Sequence, residues 1–168
     1  MFEVYNLVER KGSLGVKLLA SFCLALGIVF TLLICTGNLI MATLAIIGYG
    51  LFYVFQFRMN KEFEYAYFDG ECRFAKIMNK ARRKKLQAFS IDEVVMIAPS
   101  GDRSVYKYEN GEVAKIYDYT AGVKSEPYYV MIHKKGEALE MIRFQPEEDY
   151  LNAVCQKYAG KVIRRSAE

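Results

Sequence analysis

Charge is nearly missing from the first third of this sequence: from Met1 to Phe57 the charged side chains are Glu3, Glu9, Arg10, Lys11 and Lys17. Histidine occurs once, as His133, and tryptophan not at all. A lone histidine with no HxxxH or carboxylate–histidine spacing around it argues against a metal centre or a catalytic triad. Its plain reading is a polar residue at a strand end. The Gly-x-Ser-x-Gly, Walker A and dinucleotide-binding signatures are all missing. No residue is therefore nominated as catalytic, cofactor-binding or metal-ligating, and a non-enzymatic chain is expected. Four cysteines without a Cys-x-x-Cys (Cys23, Cys35, Cys72 and Cys155) read as small buried hydrophobes rather than a disulfide framework.

Two long apolar runs are present instead. Leu18 to Cys35 and Leu39 to Phe57 hold no charge, and at 1.5 Å per residue each covers roughly 27–29 Å, close to a ~30 Å hydrocarbon core. Thr36-Gly37-Asn38 between them is a place for the chain to reverse. The sequence predicts a two-helix transmembrane hairpin over 18–57, after a cytoplasmic segment 1–17 and before a cytosolic domain 58–168. Arg10, Lys11 and Lys17 on one flank and Arg58 and Lys61 on the other, against an uncharged turn, place both termini in the cytoplasm of a multi-pass cell-membrane protein. Tyr49, Phe52, Tyr53, Phe55 and Phe57 read as interfacial aromatics of the second helix. Neither span carries an ionisable residue of the kind that marks an ion path, so the hairpin reads as an anchor.

From Arg58 onward the composition is that of a soluble domain, with 20 Lys/Arg and 17 Asp/Glu. Alternating runs about Asp69-Gly70 predict a hairpin pairing Tyr67 with Cys72, Tyr65 with Phe74 and Phe63 with Lys76, leaving Glu64 and Arg73 on the opposite face. Lys85–Phe89 and Val94–Ile97 read as strands, with one helical turn at Ile91–Glu93 between them. Within Val105–Tyr119 a hairpin about Asn110-Gly111 is expected, with a helical stretch as the alternative for part of it. Another is expected between Pro127–His133 and Ala138–Phe144, turning at Lys134-Lys135-Gly136. Pro146 and the acidic Glu147-Glu148-Asp149 open a final helix that Gly160 closes, with Leu151, Val154, Cys155 and Tyr158 as its apolar face.

The ordered features (the hairpin, EFEYAYFDGECR, RRKKLQAFSIDEV and RFQPEEDYLNAV) resemble those of small bacterial membrane proteins that join a two-helix hairpin to a pleckstrin-homology-like (PH-like) domain. The resemblance implies an α+β fold, an antiparallel β roll or barrel capped by a C-terminal amphipathic helix. It implies no catalytic residue.

The most informative charge feature is a run of seven cations in thirteen residues: Arg73, Lys76, Lys80, Arg82, Arg83, Lys84 and Lys85. A first strand leaving the membrane near Lys61 runs about seven residues, roughly 23 Å, and the second must return by a similar distance. Lys80, Arg82, Arg83, Lys84 and Lys85 are then the candidate contacts to anionic headgroups, against the plainer reading of a solvated loop. The partners expected are membrane lipids, headgroups and a protein of unspecified identity; no nucleic-acid motif is present. Two functions follow: a membrane-anchored interaction or scaffold module, or an accessory subunit whose hairpin packs in a larger complex through Gly27, Ala42, Ala45, Gly48 and Gly50.

Overall fold

The chain opens on a strand that the sequence reading missed. In the computed structural model, which describes residues 3–10, 12–34, 37, 39–59, 61–123 and 125–165, β1 (Glu3–Arg10) pairs antiparallel with β2 (Lys61–Phe68) along its whole length. Val4, Asn6 and Val8 alternate with the more exposed Tyr5, Leu7 and Glu9, the period of a strand buried on one face. The segment before the two apolar helices is thus paired into the domain after them. The helices form an insertion in a β-hairpin loop, so Glu3–Arg10, expected within a separate segment 1–17, shares a sheet with the domain expected over 58–168.

The insertion is two apolar helices, α1 (Leu14–Leu33) and α2 (Leu39–Met59), each long and apolar enough to cross a membrane. α1 starts four residues before the expected boundary because Ser13 caps it, its Oγ accepting from the Val16 amide at 3.4 Å. Of the expected turn, Thr36 and Asn38 lie outside the described residues, as do Lys11, Cys35 and the side chains of Phe57 and Arg58. Gly27 and Gly48 bring the helices together: a Cβ on Gly48 would stand 3.1 Å from the Gly27 backbone, and one on Gly27 would press the Tyr49 ring. The Tyr49 hydroxyl meets Thr31 Oγ1 at 3.1 Å. Tyr49 therefore links the two helices while its ring stays partly exposed.

β2, β3 (Glu71–Met78) and β4 (Arg82–Ser90) continue the first sheet, in the order β1-β2-β3-β4. The Asp69-Gly70 turn has both residues left-handed, φ 43° and 87°, and the expected pairs Tyr67–Cys72, Tyr65–Phe74 and Phe63–Lys76 are all present. A 3-10 turn at Ile91–Glu93 leads to β5 (Val94–Pro99). The second sheet has the order β5-β7-β8-β6, from β6 (Lys115–Asp118), β7 (Tyr129–Lys135) and β8 (Ala138–Phe144).

Two expected turns differ. Asn110-Gly111 makes no hairpin: Tyr106–Glu109 is a short helix, α3, which Asn110 closes, and β6 instead pairs parallel with β8. Asn110 keeps φ −94°, so the two left-handed residues of a type I′ turn are not available there. Val105 and Tyr108, three apart, are buried with Ala98, Val130, Ile132 and Met141, so this segment covers the outer face of the second sheet. In the β7–β8 hairpin Lys135 pairs with Ala138, so the turn is the two residues Gly136-Glu137 and Lys134 and Lys135 belong to the strand. Gly136 takes the left-handed position at φ 63°.

The two sheets share an aromatic core. Phe74 lies within 6 Å, centroid to centroid, of Tyr65, Phe89, Tyr119 and Phe144. The Tyr65 hydroxyl donates to the Tyr119 carbonyl. α4 (Glu148–Tyr158) closes the core with Tyr150, Leu151, Ala153 and Val154. Leu151 and Val154 were expected there. Tyr158, half-buried, packs against the same core as expected, Cys155 is half-buried beside it, and the sequence reading missed Tyr150 and Ala153. Cys72 is fully buried, and burial pushes its thiol up to about 11, so it is an inert core residue. The fold is α+β, as expected.

Candidate functional site

Strand register gathers the basic residues at one end of the first sheet. Arg10 pairs with Lys61, Lys61 with Met78, and Met78 with Arg82, so the strand ends beside the helices form one row. Asn79 and Lys80 turn the chain at this end with φ 51° and 56°, and the Ala81 amide donates to the Met78 carbonyl at 3.2 Å. The returning second strand therefore brings Lys80 and the start of β4 back beside the helix ends.

The five nominated cations do not form one patch. Arg82–Lys85 stand on an edge strand rather than a loop, and strand alternation divides them. Arg82 and Lys84 share the face of Arg10, Lys61 and Lys76, whereas Arg83 and Lys85 take the other face and Lys80 the turn. Burial and the like charges of Lys61, Arg10 and Lys84 hold the Lys76 ammonium below its ordinary value, the response of a cation crowded by cations. Arg83 has a structural duty: it donates to Glu64, whose side chain is 9% exposed while that of Arg83 is 59% exposed. Arg10 is partly engaged by Asp118, donating to its carbonyl at 3.2 Å and its carboxylate at 3.4 Å. Among the described residues, Lys17, Lys61, Lys80, Arg82, Lys84 and Lys85 form no ion pair.

Between this row and the helices lies a cavity of about 890 Å³. The sheet contributes Arg10, Lys61 and Lys80 with the carboxylates Glu9 and Glu62; α1 contributes Lys17 and Ser21, and α2 Tyr53 and Gln56. The sequence reading used Arg10, Lys17 and Lys61 for orientation alone. Their convergence was hidden because it depends on the β1–β2 pairing.

His133 was expected at a strand end and is buried within β7, 3% exposed and stacked on Phe89 at 4.2 Å. Its Nε2 lies 3.4 Å from a Glu140 carboxylate oxygen. The aromatic core of the first sheet extends over the end of β7, and a flat imidazole continues the stack. Burial lowers its pKa, against the raising influence of Glu140. Among the described residues no three of His, Cys, Asp and Glu come together where they could hold a metal ion.

Neither a curated protein nor a solved structure matches this chain. The family model described as a bacterial PH-like domain, DUF6106, matches residues 2–164, a span that runs from β1 through the helical hairpin and both sheets to the segment after α4. The chain belongs to this family of bacterial PH-like domains.

Proposed function

We propose that this chain is a non-enzymatic, membrane-anchored interaction module that holds its PH-like domain against the cytoplasmic face of the cell membrane. The observation that carries this reading is the register Arg10–Lys61. The strands entering and leaving the helical hairpin are hydrogen-bonded neighbours, so a folded domain cannot have its two halves on opposite sides of a bilayer. The cations at the helix ends select the cytoplasmic side. Lys80 at the turn and Arg82 and Lys84 on one face of β4 lie at the helix end of the first sheet, which supports contact with anionic headgroups there, at about 1 kcal/mol per charge. That is weak for a free domain, yet enough to orient a tethered one.

The accessory-subunit reading loses support from the hairpin. Of the residues offered for packing against another protein, Gly27, Ala45 and Gly48 are buried in the hairpin itself, whereas Ala42 is half-buried and Gly50 exposed. A chimera with an unrelated two-helix hairpin in place of residues 11–60 separates the two readings. The interaction module keeps the proteins that co-purify with the native chain in mild detergent. Loss of all of them with the domain still folded identifies the hairpin as the docking element and contradicts the proposal.

A further inference from the structure

The outer face of the first sheet sorts its charges by strand. Alternation puts Tyr5, Leu7 and Glu9 of β1 on this face, with Glu62, Glu64 and Ala66 of β2 beside them. Arg73, Ala75 and Ile77 of β3 follow, then Arg83 and Lys85 of β4. The β1–β2 half therefore carries carboxylates and, among the described residues, no cation. The β3–β4 half carries cations, and its acid, Glu71, is already bonded to Arg73 at 2.6 Å. Glu9, Glu62 and Lys85 form no ion pair among the described residues. Apolar surface lies among these charges: Tyr5 is 55% and Leu7 53% exposed, next to the small Ala66 and Ala75. An acidic half, a basic half and open apolar side chains on one sheet face form a surface that can complement a rotated copy of itself.

We propose that this face packs on the same face of a second copy of the chain, about a two-fold axis parallel to the strands. A two-fold axis lying between two such faces can run along the strands or across them. Across the strands, β1 meets the partner's β1, and acid is set on acid and cation on cation. Along the strands, β1 meets the partner's β4 and β2 the partner's β3, each residue at its own height. Glu9 then opposes the partner's Arg83, and Leu7 the partner's Lys85, and symmetry repeats both contacts. The membrane selects the same axis independently. Both helices join the sheet at its Arg10–Lys61 end, so copies that stand side by side in one bilayer, with their strands running into the cytoplasm, are related by the membrane normal. Only this second argument rests on the membrane reading given above; the charge pattern stands without it. Four strands about 4.8 Å apart and eight residues long give a face of roughly 19 by 26 Å. That is a modest interface, and confinement of both copies to one bilayer raises their effective concentration.

The test uses the full chain in a non-ionic detergent, with native mass spectrometry over a dilution series reading the fraction of dimer. The native chain is expected to form dimers that dissociate on dilution. Leu7→Arg sets a cation against the partner's Lys85 and should raise the dissociation constant at least about tenfold. Leu7 is exposed, so the variant should keep the native circular dichroism spectrum. Adding Lys85→Glu to Leu7→Arg should restore the dimer, because the new pair is again opposite in charge; an axis across the strands gives no such rescue. Tyr106→Arg, on the exposed side of α3, should dimerise as the native chain does. A native chain that is monomeric throughout the series overturns the second copy as occupant. Dimers unaltered by Leu7→Arg, or lost equally in Tyr106→Arg, overturn the face, and a loss that Lys85→Glu does not rescue overturns the axis. Carbonate washing of membranes separates the two readings. A chain retained there yet monomeric defeats this inference alone, whereas release by carbonate defeats the membrane reading and leaves the pairing to the dilution series.

Discussion

The Glu64 carboxylate lies almost covered on the outer face of the first sheet, and the Arg83 guanidinium balances it. Arg83→Gln leaves a buried acceptor without its charged donor and should cost about 1–3 kcal/mol in thermal or denaturant unfolding. Arg82→Gln, Lys84→Gln and Lys85→Gln, at exposed positions without ion-pair partners among the described residues, should each stay within about 0.5 kcal/mol of native. A basic run that looks uniform in sequence thus divides into one residue paired with a covered carboxylate and three exposed residues without an ion pair among the described residues. His133 offers a second residue-scale test. Its pKa is lowered in the folded state, so its contribution is present above the ordinary histidine value of about 6.5 and is lost as pH falls through the folded value. It is the single histidine of the chain, so the fall in unfolding free energy just below pH 6.5 should be absent in His133→Phe. An unchanged pH profile in that variant would mean that the imidazole is not buried neutral. Two Asx-Gly pairs mark how far residue reading goes. Asp69-Gly70 turned as expected because apolar alternation on both sides fixes one register. Asn110-Gly111 did not, because Val105 and Tyr108 gain more as a helical pair against the second sheet.

Among the elements, β1 carries most of what the sequence concealed. Eight residues before a membrane span read as a tail, and their strand alternation acquires meaning only when β2 arrives fifty residues later. The apolar lengths of α1 and α2, the β2–β3 register and the buried Leu151 and Val154 of α4 were all legible, since each rests on contiguous periodicity. The parallel pairing of β6 with β8 was not, because it has no local signature. Two element-scale predictions follow from the insertion. Replacing residues 11–60 with Asn-Gly should join Arg10 to Lys61 through a two-residue hairpin turn and yield a soluble, cooperatively melting domain. Residues 61–165 alone, stripped of β1, should melt lower or fail to fold; equal stability of the two would remove β1 from the fold. In the joined domain Val154→Asp should cost more than about 3 kcal/mol, for a charge forced into a site with no exposure and no partner.

At the scale of the whole molecule, the β1–β2 pair turns a statement about charge bias into one about connectivity. Positive flanks favour the cytoplasm for each helix end separately. If α1 and α2 cross a bilayer, as proposed, the sheet requires Arg10 and Lys61 to share a side whatever the charges are, because eight successive register pairs from Glu3–Phe68 to Arg10–Lys61 cannot form across it. In the proposed arrangement the position of the PH-like domain follows from that constraint. Topology mapping in intact cells tests it most directly, with reporters fused at Met1 and Glu168 and a small tag inserted at Gly37. Cytoplasmic signals at both ends with Gly37 outside is the result the account predicts, and ends on opposite sides of the membrane, or Gly37 in the cytoplasm, would contradict it.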